Sequence, residues 1–383
     1  MSLRILIVPD KFKGTLSAPQ AAEAIAQGWA GVRPQDRLET LPMSDGGEGF
    51  GEILGSHLRA RRQTCRTTDA AGRPRTAEWG WQPATGEAVA EAAQVNGLAL
   101  LPPGLYHPFQ LDTFGLGAVL QAARQAGARR LCLGLGGSAT NDGGFGLARA
   151  LGWIFRADDG AVIRRWTGLD RLADATPPPH PPDLPPVVVA VDVANPLLGP
   201  SGATRVYGPQ KGLRPDELDK AEGCLRRLAE TMRALAGRAA ENEPGAGAAG
   251  GLGYGLAVFA GGGLQSGAAL FARHAGLEDR IRQADLVIAA EGRLDAQSFM
   301  GKGVGFVADL AARAGKPCLC LAGSIAADFR SAPGAAFHAF AIAPGIAAQA
   351  AAMAQAAECL RRLAAETATR ASGPLGLRME AWT

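Results

Sequence analysis

Apolar residues follow two rhythms along this chain, and the change between them marks its organisation. Residues 3–9 (L-R-I-L-I-V-P) form a short apolar run suited to a buried strand, followed at once by the polar turn D-K-F-K-G-T. Ser17, with Gln20 three residues on, spells a capping box ahead of a helical period carrying Ile25 and Trp29. Residues 37–43 predict a second strand running into D-G-G-E-G and another short helix. The same grammar returns at the other end of the chain. Strand A-D-L-V-I-A-A (284–290) precedes a helix over 303–314, then strands P-C-L-C-L-A-G and F-H-A-F-A-I-A (337–343) and an Ala-rich helix. Short apolar strands alternating with helices predict a parallel sheet covered on both faces.

The middle of the chain reads differently. Residues 61–93 hold three alternating runs separated by Gly- and Pro-bearing turns, which predicts an antiparallel meander. A helix over 113–126, strand R-R-L-C-L-G-L, a glycine-rich loop, the proline-rich stretch 176–186 and strand V-V-V-A-V-D-V follow. A helix then starts at Pro215 with Leu218, Ala221, Leu225, Leu228, Met232 and Leu235 on one face. The expected fold is α/β: one parallel-sheet domain split in sequence (1–60 and 278–383), with a mixed α/β domain inserted (61–277). Such an arrangement predicts a cleft between the two where ligands bind.

With 383 residues, 47% hydrophobic and 20% charged, the chain has ample core for two domains. A net charge of +3 and sparse aromatics argue against nucleic acid as a partner. The start lacks signal-peptide features and no stretch has the length of a membrane span, so a cytoplasmic protein without a membrane partner is expected. The six cysteines include no C-x-x-C pair, and Cys318 and Cys320 read as small buried hydrophobes. Lysine is unusual here. Only six occur among 39 basic residues, and Lys11, Lys13, Lys211 and Lys302 all lie in short runs rich in glycine and acidic residues or proline. An ammonium kept where arginine is the rule points to phosphate handling or proton management.

The glycine-rich loop L-G-L-G-G-S-A-T-N-D-G-G-F-G (133–146) sits between a strand and a helix. Backbone amides around Gly136, Gly137, Gly143 and Gly144 could cradle phosphate, with Ser138, Thr140 and Asn141 adding donors and Asp142 holding Mg²⁺ through water. The plain alternative is a tight strand-to-helix connection. Two further loops end strands with carboxylates: Asp45 and Glu48 in S-D-G-G-E-G, and Asp192 and Asn195 in V-D-V-A-N-P-L. Either could supply a base or a metal ligand, or cap a helix. Glu291, Asp295 and Lys302 follow the strand at 284–290 in the same way. The run E-P-G-A-G-A-A-G-G-L-G-Y-G (243–255) reads as a hinge or a close-packing segment. Neither a Walker A pattern nor a G-x-G-x-x-G after the first strand is present. Isolated lysines and oxygen-rich loops fit phosphoryl transfer.

The runs P-D-K-F-K-G-T-L-S-A, P-M-S-D-G-G-E-G, G-L-G-G-S-A-T-N-D-G-G, D-V-A-N-P-L-L-G-P-S-G-A, G-P-Q-K-G, G-A-G-A-A-G-G-L-G and E-G-R-L-D-A-Q-S carry a resemblance. Together they make the chain similar to bacterial glycerate kinases of the type-1 family, essentially end to end. The resemblance implies a flavodoxin-like domain with an inserted one, and phosphorylation of D-glycerate by ATP with Mg²⁺. The 2-hydroxyl is the implied acceptor, with a 3-phosphoglycerate-forming kinase or a non-catalytic sugar-acid-binding protein as alternatives. Under it, Asp45, Asp192 and Lys13 are the implied catalytic group. Lys211 joins the loop glycines on the nucleotide, and Asp142 and Asp192 are the implied metal ligands. Asp10, Lys11, Glu48, Asn195, Glu291, Asp295 and Lys302 are the implied substrate contacts, and a homo-oligomer is left open. One departure stands out: D-T-F-G-L-G-A (112–118) replaces the frequent T-S-x-G-T-G-E, putting Ala118 at a common glutamate.

Overall fold

A computed structural model describes residues 2–295, 298, 303–327, 329 and 337–371. The strands run β1 (Arg4–Pro9), β2 (Arg37–Thr40), β3 (Arg61–Thr68), β4 (Pro74–Gln82) and β5 (Glu87–Glu91). They continue with β6 (Arg130–Gly134), β7 (Ile154–Ala157), β8 (Leu172–Thr176), β9 (Val187–Val191) and β10 (Gly263–Ser266). β11 (Leu286–Leu294), β12 (Cys318–Ile325) and β13 (Phe337–Ala343) complete the described set. The chain forms two compact units, Met1–Asp45 with Ala268–Thr383, and Gly46–Gly267.

The first unit is built on a wholly parallel five-stranded sheet in the order β2-β1-β11-β12-β13. Numbered within the unit, that order is 2-1-3-4-5, the flavodoxin-like topology. Ile5 and Ile7 pack with Ile25, Trp29, Ile288 and Leu321 on one face, while Leu6 and Val8, buried as completely, point to the other. This two-sided burial is why β1 reads as a continuous apolar run. The helix Ala18–Val32 carries the expected capping box between Ser17 and Gln20. It lies so close to the helix Ala356–Ala371 that a Cβ on Gly28 would sit 2.1 Å from the Arg361 carbonyl oxygen. Cys318 and Cys320 are buried, as expected.

The second unit has a six-stranded sheet in the order β3-β4-β5-β6-β9-β10. β3, β4 and β5 form the expected antiparallel meander, and from β5 onward every neighbour is parallel. Its core joins Leu131, Leu133 and Val189 to Phe145, Trp166, Leu225, Leu228 and Met232. The helix Leu218–Ala236 follows a 3-10 turn at Pro215–Glu217. Leu235 was expected on its buried face but is 53% exposed, because the helix is ending at Gly237 in the left-handed region and leaves the core behind.

The seams fall earlier than residues 60 and 278. The helix Phe50–Leu58, read from sequence as part of the split domain, packs on β4, β5 and β6 of the second unit. At the other seam the chain leaves the second unit directly after β10 completes its pairing with β9.

Candidate active site

Each unit presents chemistry at the carboxyl ends of its parallel strands. In the first, the strand order reverses between β1 and β11, and open α/β sheets bind ligands at that reversal. Register places Pro9 beside Ala290, so the next residues of the two strands, Asp10 and Glu291, emerge side by side. The Asp10 amide donates to the Ala290 carbonyl at 2.8 Å, and the Asp10 Oδ1 accepts from the Lys11 amide at 2.6 Å. Asp10 is only 8% exposed. Burial pushes its carboxyl up to about 7; the charges of Asp45 and Glu291 push the same way, and Lys11 opposes them. Glu291 is also raised to about 7, chiefly by burial, with Asp295 and Asp45 adding to it and a Ser298 hydrogen bond opposing. Its Oε1 is buried without a hydrogen-bond partner among the described residues.

This edge therefore gathers Asp10, Lys11, Asp45 and Glu291, with Asp295 beside Glu291. Lys13 is exposed two residues beyond Lys11, and Gly292 packs against its backbone, where a Cβ would lie 3.3 Å from the Lys13 amide nitrogen. Asp295 shapes its own turn by donating its amide to the Ser298 hydroxyl at 3.1 Å. Lys302 lies outside the described residues.

In the second unit, register aligns Glu91, Gly134 and Ala190 across β5, β6 and β9, with Asp192 just past the last strand. The glycine-rich loop leaves β6 here and runs into the helix Phe145–Ala150. Gly136 meets the turn before Phe50–Leu58 backbone to backbone. Its amide donates to the Gly46 carbonyl at 3.3 Å, and a Cβ there would be 2.5 Å from the Gly47 Cα. Gly137, at φ +75°, is the exposed point of the loop. Glu91 ties down the facing turn by accepting from the Gly49 and Gly51 amides at 3.3 and 2.7 Å.

The polar side chains of the loop, expected as phosphate donors, face inward. Ser138 and Thr140 hydroxyls are 3.0 Å apart and both accept from the buried Asn96 amide. Asn141 is fully buried and donates to the Thr204 hydroxyl at 3.0 Å. Asp142, also fully buried, accepts from the Thr113 amide and hydroxyl and from the Gly144 and Gly146 amides at 2.8–3.1 Å. Four donors occupy its carboxylate, so it acts as an internal cap, where the expectation was a metal ligand. Gly143 and Gly144 serve close packing, against Leu225 and Leu228 and against Gly255. The run 243–255 is likewise a packing segment: a Cβ on Gly250 would be 2.0 Å from the Thr140 carbonyl oxygen.

Lys211 is brought to this loop, but to its backbone: Nζ donates to the Thr140 carbonyl at 2.8 Å. Burial lowers its ammonium to about 7, while the nearby Asp142 charge works in the other direction. Asn195 is spent on its own turn, donating to the Ser201 carbonyl and accepting from the Tyr207 hydroxyl, both at 2.7 Å. That phenol is raised to about 12 by burial, reinforced by the charge of Asp192. Glu48 is exposed and Asp192 half-buried. Among the described residues no three His, Cys, Asp or Glu side chains are grouped to hold a metal ion unaided. A divalent ion here would need oxygens from a bound phosphate, as Mg²⁺ usually does.

Sequence reasoning did not single out Glu91, Asn96, Thr113 or Tyr207. Glu91 ends an alternating strand and Thr113 sits in a run noted only for lacking a glutamate; neither carries a spacing signal. Ala118, the replaced glutamate position, is half-buried in the first turn of the helix Leu116–Gln125. Six residues earlier, Asp112 is raised to about 6 by burial and by the charge of Asp142.

A flavodoxin-like sheet with paired carboxylates at its reversal point, and a mixed unit with a backbone-lined glycine loop, define an α/β small-molecule kinase. The model of the glycerate kinase family matches residues 5–372. The chain is 38% identical to a glycerate kinase of Bacillus subtilis (strain 168), over 96% of this chain and 97% of that one. It is 36% identical to glycerate 2-kinase of Escherichia coli (strain K12), over 85% and 86%. A crystal structure from Salmonella typhimurium LT2, assigned as glycerate kinase 2, superposes with a TM-score of 0.78 at 33% identity, covering 97% of this chain and 99% of that one. The chain belongs to the glycerate kinase family. Membership makes it a phosphotransferase that uses ATP and a small-molecule acceptor. No described helix is long and apolar enough to cross a membrane.

Proposed function

We propose that the chain transfers the γ-phosphoryl group of ATP to the 2-hydroxyl of D-glycerate, giving 2-phosphoglycerate. The observation that carries the acceptor end is the gathering of Asp10, Asp45 and Glu291 with Lys11 at the β1/β11 reversal. The choice of the 2-hydroxyl rests on the likeness to the glycerate 2-kinase of Escherichia coli.

Lys11 and the exposed Lys13 supply positive charge for glycerate's carboxylate, and Asp45 and Glu291 orient its hydroxyls. The backbone around Gly136 and Gly137 offers phosphate a surface with no side chain in the way. Lys211 braces that surface from behind through Thr140. Asp192, at the end of β9, is the carboxylate that would hold Mg²⁺, and Tyr207 and Asn195 fix the turn beside it. The ion, when bound, would neutralise phosphate charge as the acceptor oxygen attacks. Asp295 flanks this edge of the first unit as a second contact to the acceptor, and Glu48 lies exposed on the second unit. An ATP-consuming enzyme of this kind fits a cytoplasmic setting.

The test is incubation of the chain with ATP, Mg²⁺ and D-glycerate, followed by phosphorus NMR. A 2-phosphoglycerate signal is expected. A 3-phosphoglycerate signal overturns the regiochemistry alone, and absence of transfer overturns the kinase reading for this substrate.

A further inference from the structure

The carboxylates at the β1/β11 reversal are not equivalent. Asp45 arrives on the loop after β2, whereas Asp10 and Glu291 are fixed by the pairing of two central strands through Pro9 and Ala290. Of Asp10's oxygens, Oδ1 is committed to the Lys11 amide. The position a Cβ would take on Gly303, the first residue of the helix Gly303–Arg313, lies 3.4 Å from Oδ2. With glycine there, residue 303 itself sets no side chain against that oxygen. Beside it, Glu291 holds a buried oxygen without a partner among the described residues. A buried acceptor that nothing satisfies is costly unless it carries a proton or receives one.

We propose that Asp10, ionised beside Glu291, is the group that takes the hydrogen from glycerate's hydroxyl as that oxygen is phosphorylated. The hydroxyl oxygen forms the new bond to the γ-phosphorus, and the bond from that phosphorus to the bridging oxygen breaks, ADP keeping its electron pair. The hydroxyl proton passes to Asp10 and is shared with Glu291 until product leaves. Two adjacent carboxyls titrate as a pair, with values that belong to both. Among the described residues, the groups facing them are Lys11 on the same turn, Asp45 after β2, Asp295 and Ser298 past β11, and Cys320 on β12. Burial, with these charges acting on top of it, raises both carboxyls to about 7, the range in which a general base works best at neutral pH.

The inference rests on the glycerate kinase reading, and the experiment separates the two. Rates are measured against pH with saturating ATP and Mg²⁺ and varied D-glycerate, for the full-length wild type, Asp10→Asn and Glu291→Gln. Wild-type kcat should fall on the acid side through about pH 7. Asp10→Asn keeps an oxygen for the Lys11 amide; it should lower kcat by about 10²- to 10⁴-fold, abolish the acid limb and change KM for glycerate little. Glu291→Gln removes a charge that raises Asp10, so the acid limb of whatever rate it retains should move to lower pH. A variant limb that stays at the wild-type position, or an Asp10→Asn enzyme within about tenfold of wild-type kcat, overturns the assignment. Should Asp10→Asn not fold, the Glu291→Gln shift decides alone. Wild type that makes no phosphoglycerate sinks the kinase reading instead.

Discussion

Replacing Asp142 by Asn should damage the glycine-rich loop and leave the Mg²⁺ requirement alone. The Asp142 Oδ2 serves three donors, the Thr113 amide, the Thr113 hydroxyl and the Gly146 amide, while Oδ1 serves only the Gly144 amide. An asparagine would best keep its carbonyl oxygen where three donors converge. Its NH₂ would then face the Gly144 N–H, donor against donor, at a site with no exposure to water. Loss of a hydrogen bond to a charged acceptor, plus an unsatisfied buried amide, costs roughly 3–5 kcal/mol. Part is recovered, because the carboxylate is itself penalised: burial raises its pKa despite four donors. A net loss of about 2–4 kcal/mol remains, several-fold more than a surface change would cause.

Urea denaturation measures that loss, and a Mg²⁺ titration of kcat at saturating ATP measures the metal requirement. The expected variant unfolds at markedly lower urea, turns over more slowly, and needs no more Mg²⁺ for half-maximal rate. A ligand role predicts the opposite pair of results. Wild-type stability with a several-fold higher Mg²⁺ requirement would refute the internal-cap reasoning and return Asp142 to the metal.

Lys211 gives a pH prediction. Its ammonium titrates near 7 in the fold against 10.5 in the unfolded chain, so the unfolded state binds more protons between those values and stability should climb as pH rises through that window. Lys211→Met should flatten the climb in urea midpoints taken across it, and an unchanged slope would contradict the buried-ammonium account. Gly250→Ala places a Cβ 2.0 Å from the Thr140 carbonyl oxygen at φ +70°. The neighbour is backbone, so a loss of about 3 kcal/mol or more is expected, and an unaltered melting temperature would refute the packing argument. Asp192→Asn, half-buried at a strand end, should melt like wild type yet lose about a hundredfold in kcat; near-normal turnover would remove it from the reaction.

What was legible in the sequence, and what was not, divides along a physical line. Strand existence and order followed from burial: β1, β11 and β12 are covered on both faces, so their apolar runs are uninterrupted, and the meander alternates because its strands are covered less evenly. The hairpin of β7 and β8 passed unseen because I-F-R-A and L-A-D-A-T are too short and too mixed to set a period. Chemistry was legible as location. Asp10, Asp45, Glu291, Asp192 and the glycine loop all proved to lie at carboxyl ends of parallel strands, where the βαβ grammar put them. Direction was not. Ser138, Thr140, Asn141 and Asp142 have the composition of an anion-binding loop, yet their partners Asn96, Thr204 and Thr113 lie 29–63 residues away. No local spacing encodes such pairings. A loop with many glycines must recover the order its backbone lacks, and here it does so by turning its polar side chains into the unit's own interior. What it leaves facing out is peptide, and peptide is what a phosphate can approach most closely.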